Sequence, residues 1–120
     1  MIFIESRMFT ARLKDFLGAE AYREFQNVLM ASPMKGRVMP GCGGLRKIRV
    51  DDEQRGKGKR GGARVVYLHI PQAFRIDLLA IYGKDEQDDL SPQERRVLAS
   101  MARLAKAEAL VAARKGGKKQ

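Results

Sequence analysis

Cysteine is nearly absent: Cys42 is the only one in 120 residues. A single thiol excludes an intrachain disulfide framework and a cysteine-based zinc cluster. Histidine is equally scarce, with His69 alone. A nucleophilic Cys–His pair would need those two residues to meet in space, and both are read as structural. The chain has no HxxxH and no GxxxxGK[ST] phosphate loop, and its carboxylates form no paired acid–base motif. The run Asp51-Asp52-Glu53 diverges on extended backbone, so it reads as a turn rather than a metal site. No metal and no cofactor are expected. No apolar run approaches the ~18 residues of a membrane span, and the start lacks the charged-then-apolar pattern of a secretory signal. The expected address is the cytoplasm, with no membrane partner.

Negative charge is also in short supply. The chain carries 24 basic and 14 acidic residues, a net charge of +10, with pI near 10.2. The excess is local. Residues 1–34 hold four of each sign, whereas residues 35–64 hold ten basic against three acidic. Residues 103–120 hold six basic against Glu108 alone. Such clustering points to a polyanion, because cations that neutralise phosphates release counterions. A hydrophobic fraction of 44% supports a folded chain. The length suits one domain, expected over 1–113, followed by a flexible basic tail over 114–120.

Periodicity gives the elements. Met1 to Glu5 reads as a strand. Phe9, Leu13, Phe16 and Leu17 define one helical face, and Ala21, Tyr22, Phe25, Val28 and Leu29 a second, stopped by Ser32-Pro33. Residues 34–44 read as a loop. Leu45–Val50 and Ala63–Ile70 alternate with a period of two, as half-buried strands do. Pro71 to Phe74 is a turn. Arg75 to Tyr82 is a further strand, with Ile76, Leu78, Ala80 and Tyr82 expected on one face. The acidic connector from Asp85 to Asp89 could contact basic residues. Ser91-Pro92-Gln93-Glu94 then opens a helix with a capping box, expected to run to about Ala113. The expected fold is α+β, in the order β-α-α-β-β-β-α. It is a small, mainly antiparallel sheet with an N-terminal two-helix hairpin on one face and a C-terminal helix. The sheet face opposite the hairpin is expected to be free for cations.

The chemistry concentrates between Gly43 and Lys84. Lys47 and Arg49 share one face of their strand, and Arg46 lies on the other. If the strand from Ala63 pairs with it, Arg64 joins Lys47 and Arg49. Cations so close lower one another's proton affinity, and a lysine among them could act as a base. Such a site could cut RNA without metal or histidine. A 2′-hydroxyl would attack the adjacent phosphorus while arginines stabilise the phosphoryl oxygens. Lys57, Lys59 and Arg60, in the glycine-rich loop, are expected to grip phosphates. Tyr67 and Tyr82 read as core aromatics, with base stacking the sharper role. Lys84 follows Gly83, at a strand end that could aim it at the same patch.

These residues resemble a known family. GGLRKIRV, GKGKRGGARVVYL and LLAIYGKDEQDDLS, taken together, resemble the HigB-type branch of the RelE/ParE toxin superfamily over roughly residues 1–105. The resemblance implies a type II toxin neutralised by a cognate HigA-type helix-turn-helix antitoxin. It implies an endoribonuclease that binds the ribosomal A site, contacts ribosomal RNA and cleaves mRNA there, stopping translation. Lys47 and Arg49 match the paired basic residues of the family, Arg64 its Arg-x-Val-Tyr arginine, and Lys84 its GK element. Catalysis is expected from Lys47, Arg49, Arg64 and Lys84, and RNA binding from Arg46, Lys57, Lys59, Arg60 and Tyr82. Two positions depart from the RelE pattern: Asp85 replaces an arginine, and Leu90 falls near a tyrosine. Other readings of the same fold are a ParE-like inhibitor of DNA gyrase and an inactive nucleic-acid-binding relic.

Overall fold

The computed structural model describes residues 1–50, 62–84 and 89–117. In chain order they form β1 (Ile2–Glu5), α1 (Arg7–Leu13), α2 (Ala19–Ala31), β2 (Arg37–Val38), β3 (Arg46–Val50), β4 (Ala63–Ile70), β5 (Arg75–Gly83) and α3 (Pro92–Gly117). The five strands make one sheet in the order β1-β5-β4-β3-β2. β1 pairs with β5 in parallel, and the other pairings are antiparallel. The α+β class matches the expectation from sequence, and so does the order of elements apart from one additional short strand, β2. No described helix is long and apolar enough to cross a membrane.

Local chemistry places the helix ends. Ser6 caps α1, its hydroxyl accepting from the Phe9 N–H at 3.0 Å. Gly18 starts α2, and the helix stops at Ala31, just before Ser32-Pro33. At α3 the capping box is complete. The Ser91 N–H donates to Glu94 Oε1 at 2.7 Å, and the Glu94 N–H donates to Ser91 Oγ at 3.1 Å. α3 continues through Gly117, past the expected end at Ala113. Nothing breaks its 3.6-residue pattern there, and Arg114 and Lys115 in its last turn complement the helix dipole. The last residues of the expected tail, 118–120, lie outside the described residues.

Two cores sandwich the sheet. On one face Phe9, Phe16, Leu17, Phe25 and Leu29 of the hairpin region pack on Val65, Tyr67, Ile76, Leu78 and Ile81. On the other, Leu98, Ala99, Ala102 and Ala109 of α3 pack on Leu45, Val66, Leu68, Leu79, Ala80 and Tyr82. The second face, expected to be free for cations, is not free: α3 packs across it. Small alanines on α3 let the helix lie close to the strands. Cys42 is buried in this second core. Tyr67 is fully buried, and its hydroxyl donates to Pro33 O and accepts from the Gly36 N–H, both at 2.8 Å. That bond pair anchors residues 33–36 to the central strand.

Three further expectations are corrected. The stretch 34–44 is not all loop: Arg37–Val38 pairs with Lys47 and Arg46 as a short edge strand. Two residues carry no readable alternation, which is why the pattern hid it. Val28 is exposed rather than part of the helical core face, because Phe25 and Leu29 already fill the contact. β5 does not keep one parity along its length. Val66 pairs with Ala80, but Tyr67 pairs with Leu78, so Leu79 is an extra residue in the ladder. This β-bulge turns the strand over. Ile76 and Leu78 face the hairpin, while Ala80 and Tyr82 face α3.

Ser6 holds the bulge. Its N–H donates to Leu78 O at 2.9 Å and its hydroxyl to Leu79 O at 2.7 Å. One side chain thus caps α1 and clamps the irregular turn of β5. We expect Ser6→Ala to lower the unfolding free energy by about 1–2 kcal/mol, read from urea denaturation. Gly36→Ala is expected to destabilise as well, since a Cβ there would lie 2.7 Å from the Tyr67 ring and 2.8 Å from its hydroxyl. Unchanged denaturation midpoints in both variants would contradict these assignments.

Candidate nucleic-acid interface

Register decides which cations meet. Arg49 is opposite Arg64 on β4, and Arg64 is opposite Tyr82 on β5. Directly opposed residues project from the same side of a sheet. The row Arg49–Arg64–Tyr82 therefore crosses three strands on the α3 side, near one end of that face. Lys47 stands one step along, opposite Val66, which in turn opposes Ala80. The bulge is what brings Tyr82 to this row. On an unbroken strand it would share the side of Ile76 and face the hairpin.

Burial grades across the row. Arg49 is exposed, Lys47 is half-buried, and Arg64 is 8% exposed beside Tyr82 at 4%. The Arg64 guanidinium donates to Ala63 O at 3.4 Å. Among the described residues the Tyr82 hydroxyl is buried and has no hydrogen-bond partner. Leaving such a group unpaired costs about 1–3 kcal/mol, and like charges opposed across a ladder add to that cost. An acceptor-rich anion placed here would relieve both.

α3 supplies the remaining wall. Asp89, just before the helix, accepts from Lys47 Nζ at 3.0 Å on one oxygen and from Arg95 at 3.1 Å on the other. The Leu90 N–H also donates to it at 2.8 Å. Those contacts, the Lys47 hydrogen bond foremost, hold the Asp89 carboxyl below the usual carboxylate range. It is a carboxylate held between two cations, in a position that a phosphate oxygen could take. The acidic connector thus does contact a basic residue of the strand platform. Asp89 and Arg95 join the site without having been assigned to it from sequence. Lys47 lies 42 positions from Asp89 in sequence, and the one available signal was the acidic connector that ends at Asp89, two residues before the Ser91 cap.

The other expected site residues are dispersed. Lys84 is exposed just past β5, where its N–H donates to Gly62 O at 3.2 Å. Arg46 lies on the opposite face and donates to Met34 O and Gly36 O, at 3.0 and 2.8 Å. The structure uses its guanidinium to hold the segment before β2. Lys57, Lys59 and Arg60, together with Asp51, Asp52, Glu53 and Asp85, lie outside the described residues. His69 is half-buried, and its imidazole is pushed below its usual value by burial and then by Arg46. It takes no part in the cationic row.

Tyr82 has its pKa pushed up to about 12, first by burial, next by the Asp89 charge, against which Arg64 and Arg95 pull down. The neutral phenol is therefore the form present at physiological pH, a donor rather than a base. A tyrosine unfolded in water ionises near 10. Ionisation then favours the unfolded chain, so this contribution to stability is intact below pH 10 and is lost as pH rises through about 12. Tyrosinate absorbance in the wild type and in Tyr82→Phe is the check. The difference between them should titrate well above 10, and one centred at 10 would contradict the burial.

No family model matches the chain. In three dimensions it is similar to the isolated E. coli RelE toxin, at TM-score 0.52 and 13% identity, over 83% of this chain and 97% of that one. It is also similar to a double-arginine mutant of E. coli RelE in the free state, at TM-score 0.51 and 13% identity, over 72% of this chain and 86% of that one. A chain of the intact E. coli RelBE toxin–antitoxin complex aligns at TM-score 0.49 and 17% identity, over 67% and 92% of the two. The architecture of this chain, a mixed sheet between a helical hairpin and a terminal helix, is therefore RelE-like.

Proposed function

We propose that this chain is the toxin of a type II toxin–antitoxin module, of the HigB branch, and that it cleaves mRNA in the ribosomal A site. The observation that carries this reading is the row Arg49–Arg64–Tyr82: two arginines at opposed register positions, next in register to a tyrosine whose buried hydroxyl has no hydrogen-bond partner among the described residues, on a RelE-like fold. A phosphodiester supplies what the row lacks, namely negative charge and acceptor oxygens. The sequence resemblance in GGLRKIRV and LLAIYGKDEQDDLS supports the narrower assignment and, with it, a HigA-type helix-turn-helix antitoxin as partner.

The chemistry needs no metal. The 2′-hydroxyl oxygen forms a bond to the adjacent phosphorus, and the bond from phosphorus to the 5′-oxygen breaks. A lysine, Lys47 beside the row or Lys84 at the end of β5, takes the 2′ proton, and the departing 5′-oxygen receives one. Arg49 and Arg64 hold the non-bridging oxygens as charge builds on them. Tyr82, neutral and dry, donates to the same phosphoryl group. Lys47 is released for the substrate when phosphate displaces the Asp89 carboxylate. Arg46 is committed to the fold rather than to RNA.

Mapping mRNA 5′ ends in a purified translation system, with and without ribosomes, tests the proposal. New ends are expected only with ribosomes. The Lys47→Ala, Arg64→Ala double variant should lose at least about 10²-fold in cleavage rate, by comparison with removal of a single transition-state donor in other enzymes. Its thermal unfolding should stay cooperative. Intact mRNA together with arrest of DNA gyrase would select the ParE-like reading instead.

A further inference from the structure

A cleft of about 430 Å³ opens beside the cationic row, between the Pro40–Cys42 segment and α3. Arg95, Arg96 and Arg103 line its helical wall with Ser100, and no carboxylate is among its lining residues. Arg96 and Arg103 are exposed. Their guanidinium groups are held along the helix, Arg103 by Ser100 Oγ at 3.0 Å and Arg96 by Gln93 Oε1 at 3.4 Å. Among the described residues neither arginine is paired with a carboxylate. Arg95 belongs to both places, because it lines the cleft and also holds the Asp89 oxygen across from Lys47. Cations thus run from Arg64 and Arg49 through Lys47 and Arg95 to Arg103, with the Asp89 carboxylate seated between Lys47 and Arg95.

We infer that this cleft is a second phosphate-binding segment, in which the backbone of single-stranded RNA leaving the Arg49–Arg64–Tyr82 row is held by Arg95, Arg96 and Arg103. Arg96 and Arg103 are seven residues apart, about 10 Å along the helix axis, so they contact successive parts of a strand rather than one phosphate. Guanidinium forks suit phosphate oxygens. No aromatic side chain lines the cleft, so no base is stacked there. Contacts of this kind supply affinity and salt dependence and read no sequence. The inference rests on the proposed ribonuclease reading for the class of ligand, and it assigns a path to the substrate strand.

The test uses the full chain and a fluorescent single-stranded oligoribonucleotide carrying 2′-deoxy sugars at every position that could be cut. Anisotropy titrations at several sodium chloride concentrations give affinity and salt slope. In the Arg96→Ala, Arg103→Ala double variant the slope of log K against log salt should fall by about 1.4, at roughly 0.7 per lost phosphate contact on a single strand. Affinity at low salt should drop by at least about tenfold, whereas a control with Arg7→Ala and Arg23→Ala on the hairpin helices should bind as the wild type does. An unchanged slope in the cleft variant, with binding weakened by Arg64→Ala, would overturn the cleft and leave the ribonuclease reading standing. Weakening by the cleft variant with no effect of Arg64→Ala would keep the cleft and remove that reading. Absence of wild-type binding, or polyglutamate competing as well as RNA, would overturn the assignment of RNA to the cleft.

Discussion

The site depends on one irregularity in one strand. Leu79 is an extra residue between two regular stretches of β5, and it reverses which side chains face which core. Below it the strand buries Ile76 and Leu78 against the hairpin; above it Ala80 and Tyr82 turn to α3. Ser6 secures that reversal by bonding both carbonyl groups at the bulge. The partner is 73 positions away from Leu79 in sequence. A regular β5 would turn Tyr82 to the hairpin side with Ile76 and leave Arg64 without the phenol beside it.

From that constraint the electrostatics follow. β4 is central and almost wholly buried, so Arg64 enters a region where charge is poorly solvated. β3 adds Lys47 and Arg49 from the more open side. The α3 N-terminal region closes the arrangement with Asp89 on Lys47 and Arg95. These two pairs are partly exposed, so each contributes no more than about 1 kcal/mol to folding. Their consequence is positional. They keep two cations pointed at one place and occupy it with a weakly held anion.

Stability and recognition draw on different residues. The hairpin core, Tyr67 with its two hydrogen bonds, and the alanine face of α3 hold the sheet between its helices. Arg75 does the same at the far end, donating to Asp77 at 2.6 Å and to Glu108 at 3.2 Å, which ties α3 to β5. The cations Lys47, Arg64 and Arg95 of the candidate site lie on the α3 side of the sheet, where α3 begins.

Much was readable from the chain alone. Alternation gave β3 and β4, proline gave the end of α2 and the capping box the start of α3, and the shared parity of Lys47 and Arg49 gave the cationic strand, because each is local and spans only a few residues. Pairing those strands was expected to bring Arg64 near Lys47 and Arg49, and the register that opposes it to Arg49 came from the structure. Local pattern could not give the β2 edge, two residues long, nor the continuation of α3, nor the side on which Tyr82 lies. It also could not show that α3 roofs the cationic face or that Asp89 meets Lys47. Those outcomes turn on contacts between residues many tens of positions apart. Side-chain chemistry and short-range periodicity specified the parts and their charges; only the packed chain, through the Ser6 clamp and the seat of α3, decided which of them share a site.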